Sequence, residues 1–300
     1  MTSLLYIAIH IFMLNWWLTQ QVTALTESKL DMAYDAFDDQ YEGCIQEMEK
    51  KAPQLLKEEL NINKNLKSEW TKAEKYWEKI KNKVTYPKNF NDFHGIALVT
   101  YTGDIATDFN KAVREFRQNS DNFWYKAFHY YLTRALQLLK DQNCYKVYTG
   151  TSTKFYYSGK GSVRFGQFTS SSLNKEAANN FLKEGGTLFK INTCLGVPIK
   201  ISFFEDEEEV LIPGYEVYNV ASIETTKKGN TITLKDPRRQ KSNYNCFYLS
   251  NRSGESGSAL KCCTKYKMGV LPTRSTKGRK QWASSPLPKS NIPKKKGPLS

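Results

Sequence analysis

Glu207 and Glu209 stand two apart in the acidic run Glu205-Asp206-Glu207-Glu208-Glu209, which feeds the apolar run Val210-Leu211-Ile212 and is stopped by Pro213. The switch predicts a loop entering a buried strand, with its last carboxylates at the lip of whatever that strand covers. On an extended segment, side chains two apart share a face. Two carboxylates on one face repel, and partial burial raises at least one pKa. Such a pair adds little stability but suits chemistry on a cationic transition state. The bland alternative for a Glu-x-Glu taken alone is a solvated acidic turn, so the company it keeps decides. Two strand-borne motifs precede it: Val147-Tyr148-Thr149-Gly150-Thr151, and Arg164-Phe165-Gly166-Gln167-Phe168-Thr169-Ser170-Ser171-Ser172-Leu173. The second offers hydroxyls, although a Ser-rich turn at a strand end explains it better when it stands alone.

The elements that must position these motifs change character midway along the chain. A helical stretch runs to Leu60 with Pro53 as a break. Over residues 62–83, Leu66, Trp70, Ala73, Trp77 and Ile80 fall at alternating steps of four and three, a packing stripe. Gly95 to Tyr101 is a strand or a buried helix turn. Asp104 is a candidate cap for a helix carrying Ile105, Phe109, Val113 and Phe116. Residues 123–140 form another helix, with Phe128, Leu132, Ala135, Leu136 and Leu139 inward. Short strands follow: Tyr145 to Tyr148, Ser162 to Phe168, Thr187 to Thr193, Ile199 to Phe204, Val210 to Ile212, Glu216 to Val220 and Thr231 to Leu234. One helix, Asn174 to Lys183, interrupts them. Helices first and strands second define an α+β domain.

Length and composition bound the rest. With 300 residues, 40% apolar and 13% aromatic, the chain can build a sizeable core. Residues 1–24 read as a secretory signal peptide: Leu4 to Leu18 is nearly all apolar, and Val22-Thr23-Ala24 offers small residues at a cleavage point. An uncleaved anchor is the alternative. Secretion makes disulfides the first reading of the six cysteines, none of which has zinc-ligand spacing with His. Asn251-Arg252-Ser253 is a glycosylation sequon. The formal charge is +14, yet Lys261 to Ser300 alone holds eleven Lys or Arg and no acidic residue. The body is therefore only mildly basic, and without a basic–aromatic platform nucleic acid is not an expected partner. The organisation expected is signal peptide 1–24, folded domain 25–252, and a basic tail 253–300 rich in Ser, Pro, Gly and Lys.

With the three motifs in order, the chain resembles the vertebrate ecto-ADP-ribosyltransferases, the arginine-specific mono-ADP-ribosyltransferase family, and within it the lymphocyte (RT6-like) members. The matching stretches include Phe37-Asp38-Asp39-Gln40-Tyr41-Glu42-Gly43-Cys44, Lys126 through Leu139, Thr193-Cys194-Leu195-Gly196-Val197, and Val210 through Tyr218. The resemblance spans roughly residues 30–250 and implies the split-NAD fold. In that fold a helical N-terminal half packs beside two antiparallel β-sheets, with NAD in the cleft between them. It implies transfer of ADP-ribose from NAD to protein arginine with release of nicotinamide, some NAD hydrolysis, and no metal. Acceptors would be arginines on extracellular or cell-surface proteins, and a monomer is the expected state.

The family signature of Arg, Ser and Glu-x-Glu maps onto Thr149, Ser170, Glu207 and Glu209. By resemblance, Glu209 stabilises the oxocarbenium-like ribose and holds its 2′-hydroxyl, as paired carboxylates do in glycosidases. Glu207 orients or deprotonates the acceptor guanidinium, and Ser170 bonds the ribose or positions Glu209. Gly150 lets the backbone approach the nicotinamide amide. Tyr101, Gln167 and Ser202 lie against NAD, and Phe181 either stacks on nicotinamide or belongs to the core. The departure is Thr149, where the family has an Arg on the pyrophosphate. A charge-assisted bond of roughly 1.5–3 kcal/mol is then missing, about 10- to 100-fold in binding or turnover. Lys146, Lys154 and Lys160 are candidate substitutes. Two readings stay open: an active or weakened transferase, and a secreted binding protein on the same scaffold. The resemblance also pairs Cys44 with Cys246 and Cys144 with Cys194, leaving Cys262 and Cys263 over. No lipid-anchor signal is evident after Met268-Gly269-Val270-Leu271, so secretion is expected. The tail reads as a solvated linker or as a contact for anionic cell surfaces.

Overall fold

The computed structural model describes residues 27–83, 85–199, 208–227 and 229–249. Ser202, Glu207, Asn251, Cys262, Cys263 and the expected signal and tail lie outside the described residues. Among those described, helices do come first: α1 (Ile45–Ile62), α2 (Lys64–Ile80), α3 (Asp92–Tyr101), α4 (Ile105–Arg114) and α5 (Lys126–Leu139). Pro53 does not break α1 but sits inside it. Burial of Met48, Ala52, Leu55 and Leu56 around it outweighs the one ladder bond a proline removes. The α2 stripe packs as its period predicts, with Leu66, Trp70, Ala73 and Trp77 buried. Asn63 caps it, accepting from the Leu66 N–H at 3.0 Å.

Gly95 to Tyr101 is the buried helix of the two alternatives, the last two turns of α3. Its apolar residues go all round because helices cover it from every side. Gly95 is required there, since a Cβ would overlap the Trp77 indole. Asp104 precedes α4 but makes no capping bond. The N-terminus of α5 is capped instead from α1: the buried carboxylate of Glu59 accepts from the backbone of Lys126, of Ala127 at 3.0 Å and of Phe128 at 3.4 Å.

The strands are β1 (Glu27–Lys29), β2 (Tyr145–Thr151), β3 (Lys154–Tyr156), β4 (Thr169–Ser172), β5 (Thr187–Thr193), β6 (Val197–Pro198), β7 (Glu209–Ile212), β8 (Glu216–Thr226) and β9 (Gly229–Arg239). β1 and β3 form a small parallel pair, and the other seven follow the order β6-β7-β4-β2-β5-β9-β8. The expected antiparallel sheets are thus refined: β5 runs parallel to β9, and the seven strands form one ladder. That ladder is held at its middle by a single residue pair between β2 and β4, Tyr148 with Ser172. β2 pairs with β5 along all of Tyr145–Thr151, so the two groups of strands part on one side of that junction.

Two sequence readings need correction. Ser162 to Phe168 is not a strand, apart from a bridge from Val163 to Tyr218; the strand is the following Thr169–Ser172. Gly166, at φ +67, turns the chain. Arg164 is buried, donating to Asp38 at 2.6 Å and to the carbonyls of Met32 and Ala33. The helix expected over Asn174 to Lys183 is shorter: α6 (Lys175–Asn179) tightens into i→i−3 turns through Leu182. The strand expected at Ile199 to Phe204 lies outside the described residues except for Ile199, whose N–H bonds the Glu209 carbonyl at 2.8 Å.

One core lies among the helices and takes in Phe168, Val197 and Leu211 from the strand half. A second gathers Val147, Phe189, Ile191, Val210, Ile212, Ile232 and Leu234. β7 therefore alternates, Leu211 toward the helices and its neighbours toward the second core. Both expected disulfides form, Cys44–Cys246 and Cys144–Cys194. The first closes a separation of 202 residues, worth about 5 kcal/mol in the chain-entropy treatment. Beside it, Asp38 accepts from the Asn243 and Tyr244 amides, and Asp39 from those of Cys246 and Phe247. The last described segment is thereby fastened to the first.

Candidate active site

The junction of β2 and β4 is where the motifs meet. β7 pairs antiparallel with β4, placing Glu209 directly across from Ser172 and Leu211 across from Ser170. Ser170, Ser172 and Glu209 consequently share one face of the ladder. Glu209 is 7% exposed, whereas Ser170 is open to the cleft. On the other side of the junction β2 carries Thr149 and Gly150. α6 closes the space: Ala177, Ala178 and Phe181 line one wall of a cavity of about 160 Å³ whose other walls are Tyr148, Thr149, Gly150, Ser170, Ser171, Ser172 and Glu209. Phe181 is 59% exposed. It is therefore not a core residue.

Gly150 has a packing reason as well as the one expected. A Cβ there would overlap the Ala178 carbonyl oxygen, so the glycine lets α6 approach the strand while it lines both cavities.

A second cavity of about 780 Å³ shares Thr149, Gly150 and Ser170 with the first. It extends past Gln167 and Tyr101 toward β1, and its volume falls within the range of sites that hold whole cofactors. Tyr101 is 2% exposed, and its hydroxyl donates to the Phe168 carbonyl at 2.9 Å and accepts from Asn110 Nδ2 at 3.0 Å. Burial is the main cause holding that phenol well above its usual pKa; bonding from Asn110 opposes it and the nearby Glu209 charge adds to it. Ser170 is close enough to bond the same hydroxyl. A buried tyrosine thus lies next to Ser170, with the Glu209 charge nearby.

The charges in the larger cavity bear on Thr149. Lys146, Lys154 and Lys160 line neither cavity, and Lys154 is paired with Glu27 at 2.8 Å. Arg164 lines the larger one but is committed to Asp38. Arg114, at the end of α4, also lines it, and among the described residues no carboxylate lies within ion-pair distance. The Arg114 side chain is exposed to solvent; partial enclosure around it lowers its pKa, with Glu115 and Tyr101 opposing. Beside it the Asn110 Oδ1 is buried without a hydrogen-bond partner. The signal for both was present in the sequence. Arg114 is one residue past the inward Val113, and Asn110 one past Phe109, at the edge of the apolar stripe of α4.

A mostly helical half beside a parted ladder, with a buried carboxylate and a serine facing the parting, fits the split-NAD arrangement that the sequence resemblance implies. A sequence profile of the family "NAD:arginine ADP-ribosyltransferase" matches residues 30–242, and the chain belongs to that family. It is 62% identical over 272 residues to T-cell ecto-ADP-ribosyltransferase 2 of Mus musculus, covering 87% of this chain and 93% of that protein. Against T-cell ecto-ADP-ribosyltransferase 1 of Rattus norvegicus the figures are 60% over 253 residues, 83% and 91%. A crystal structure of a single-residue mutant of the mono-ADP-ribosyltransferase ART2.2 in complex with NAD superposes with a TM-score of 0.70 at 60% identity, covering 73% of this chain and 99% of that one. The chain is thus an NAD-dependent arginine mono-ADP-ribosyltransferase of the RT6-like ecto type, with NAD as substrate.

Proposed function

We propose that Glu209, Ser170 and Glu207 divide the transfer between them. The nicotinamide end of NAD enters the smaller cavity and stacks on Phe181, while the adenosine end lies along the larger. The bond from ribose C1′ to the nicotinamide nitrogen breaks, and its electron pair leaves with neutral nicotinamide. The buried Glu209 carboxylate opposes the positive charge growing at C1′ and accepts from the 2′-hydroxyl. Ser170 bonds the ribose and keeps Glu209 in place, itself held by Tyr101. An acceptor guanidinium nitrogen forms the new bond to C1′ from the opposite face, and its proton passes to Glu207. Arg114 takes the place at the pyrophosphate that Thr149 leaves vacant, and Asn110 Oδ1 accepts from a nucleotide donor beside it.

The observation that carries this reading is the pairing of Glu209 with Ser172. It sets the carboxylate and Ser170 on one face, across the parting from Thr149 and Gly150. Thr149 then weakens the hold on NAD and leaves the bond-breaking groups intact, so the binding-protein reading loses its footing. The test is transfer of labelled ADP-ribose from NAD to agmatine. Glu209→Gln should lose it by orders of magnitude while still binding NAD; undiminished transfer removes Glu209 from the mechanism.

Acceptors are arginines of extracellular or cell-surface proteins, by analogy with relatives named as ecto-enzymes. We further propose that signal peptide 1–24 is removed, that 25–252 is the catalytic domain with a glycan on Asn251, and that 253–300 is a basic tail of a secreted monomer. No helix among the described residues is long and apolar enough to cross a membrane.

A further inference from the structure

A pocket sharing no residue with the two cavities of the cleft opens between the end of α5 and the strands, with a volume of about 320 Å³. Three cations line it: Arg134 and Lys140 from α5 and its end, and Arg239 from the end of β9. Glu42 is the one carboxylate among its lining residues.

Its acceptors are already engaged from within. Gln40 Oε1 takes the Arg239 Nε at 2.5 Å, Gln137 Oε1 takes Arg134 Nη1 at 2.6 Å, and Glu42 Oε1 takes Arg239 Nη2 at 2.7 Å. Gln137 is in turn tied to the Gln40 carbonyl at 3.0 Å. The donors are in surplus. A guanidinium carries five N–H groups, and Arg134 Nε is buried with no partner. Tyr215 also lines the pocket, its hydroxyl beside Gln137 and its pKa pushed up to about 12, chiefly by burial. Cations near a helix C-terminus also answer its dipole. That accounts for Lys140, but not for Arg239, which comes from a strand.

We propose that this pocket binds a small phosphate monoester. Two guanidinium forks held at fixed angles match the oxygens of a phosphate. Among the lining residues three cations face one carboxylate, and although Glu49 lies near Arg134 and Glu216 near Tyr215, the lining itself favours an anion such as a phosphate monoester, at about −1.5 to −2. The volume is at the low end of small-molecule sites, enough for a phosphorylated sugar. Occupancy is independent of NAD, because the two sites have no lining residue in common.

The test titrates the full chain by calorimetry with inorganic phosphate and with ribose 5-phosphate. A saturable site for ribose 5-phosphate is expected. Joint Arg134→Gln and Arg239→Gln should weaken it by about tenfold or more, while Arg114→Gln, in the NAD cleft, leaves it unchanged. Glu42→Gln should tighten it by about two- to fivefold, since an opposing charge is removed without truncating a donor. Retained NAD-dependent labelling shows that the Arg134, Arg239 and Glu42 variants are folded, and an unshifted thermal melt shows it for Arg114→Gln. Saturation by inorganic phosphate alone would mean an ion site and not a monoester site, and would overturn the proposal. Affinity unchanged in the double variant, lost in Arg114→Gln, or weakened in Glu42→Gln would do the same.

Discussion

Replacing Thr149 with Arg is the most informative change this chain offers. Thr149 lines both cavities of the cleft, so a longer side chain projects into open space and not into a core. A restored charge-assisted bond to the pyrophosphate is worth about 1.5–3 kcal/mol, about 10- to 100-fold in kcat/KM for NAD. The pyrophosphate is remote from the C1′ bond that breaks, so the same contact exists before and during reaction. The gain therefore falls in KM, with kcat nearly constant. It shrinks as salt screens the open cleft. Arg114 supplies the control. If it already serves the pyrophosphate, Arg114→Gln raises KM in the natural chain and raises it less in the Thr149→Arg background, where two guanidinium groups share the load. Steady-state kinetics with agmatine in all four proteins measures the coupling. An unchanged KM in Thr149→Arg, or an Arg114→Gln without effect in either background, refutes this account of the cleft.

Three other changes follow from the packing. Gly150→Ala drives a methyl into the Ala178 carbonyl, and should cost about 1–3 kcal/mol together with most of the transfer activity; thermal melts and agmatine labelling read both. Arg164→Met strips the buried partner from Asp38. Because Asp38 keeps its bonds from Asn243 and Tyr244, the loss should sit near the lower end of the range for such pairs, about 3 kcal/mol in urea unfolding. Glu59 gives a pH dependence. Burial raises its pKa from 4.5 to about 8 despite the three amides that favour its charge. The folded chain therefore holds a proton that the unfolded chain has released between those values, and stability falls as pH rises through that window. In Glu59→Gln the fall should disappear, as urea unfolding from pH 5 to 8 would register.

How far the sequence carried the reading depends on where each interaction lies. The stripe of α2 and the strand after the acidic run are local patterns, and they fold as read. Ser162 to Phe168 imitates a strand because Val163 and Phe165 alternate with polar neighbours. Yet Arg164 is anchored to Asp38, 126 positions away, and no window of sequence holds both. The cap on α5 comes from 67 residues upstream and was equally invisible. Asp104, the local candidate cap, goes unused. For Gly150, the packing requirement was out of reach of the sequence, since only the fold shows that α6 presses on it.

The geometry also explains why one serine and one carboxylate from distant motifs end up as neighbours. β2 is committed to β5 along seven residues and touches β4 through a single pair. Beyond that pair the strands part, and both cavities open along the gap. β4 is then held by β7 alone on its other edge, over four pairs that include Ser172 with Glu209. Any slip of that register by one residue would turn Glu209 to the opposite face. Leu211 buried among the helices, and Val210 and Ile212 buried in the second core, forbid the slip. The apolar run after the acidic stretch of sequence is thus what fixes the direction of the Glu209 carboxylate in front of it. A polar substitution at Leu211 should damage transfer through misplacement of Glu209 as well as through lost stability.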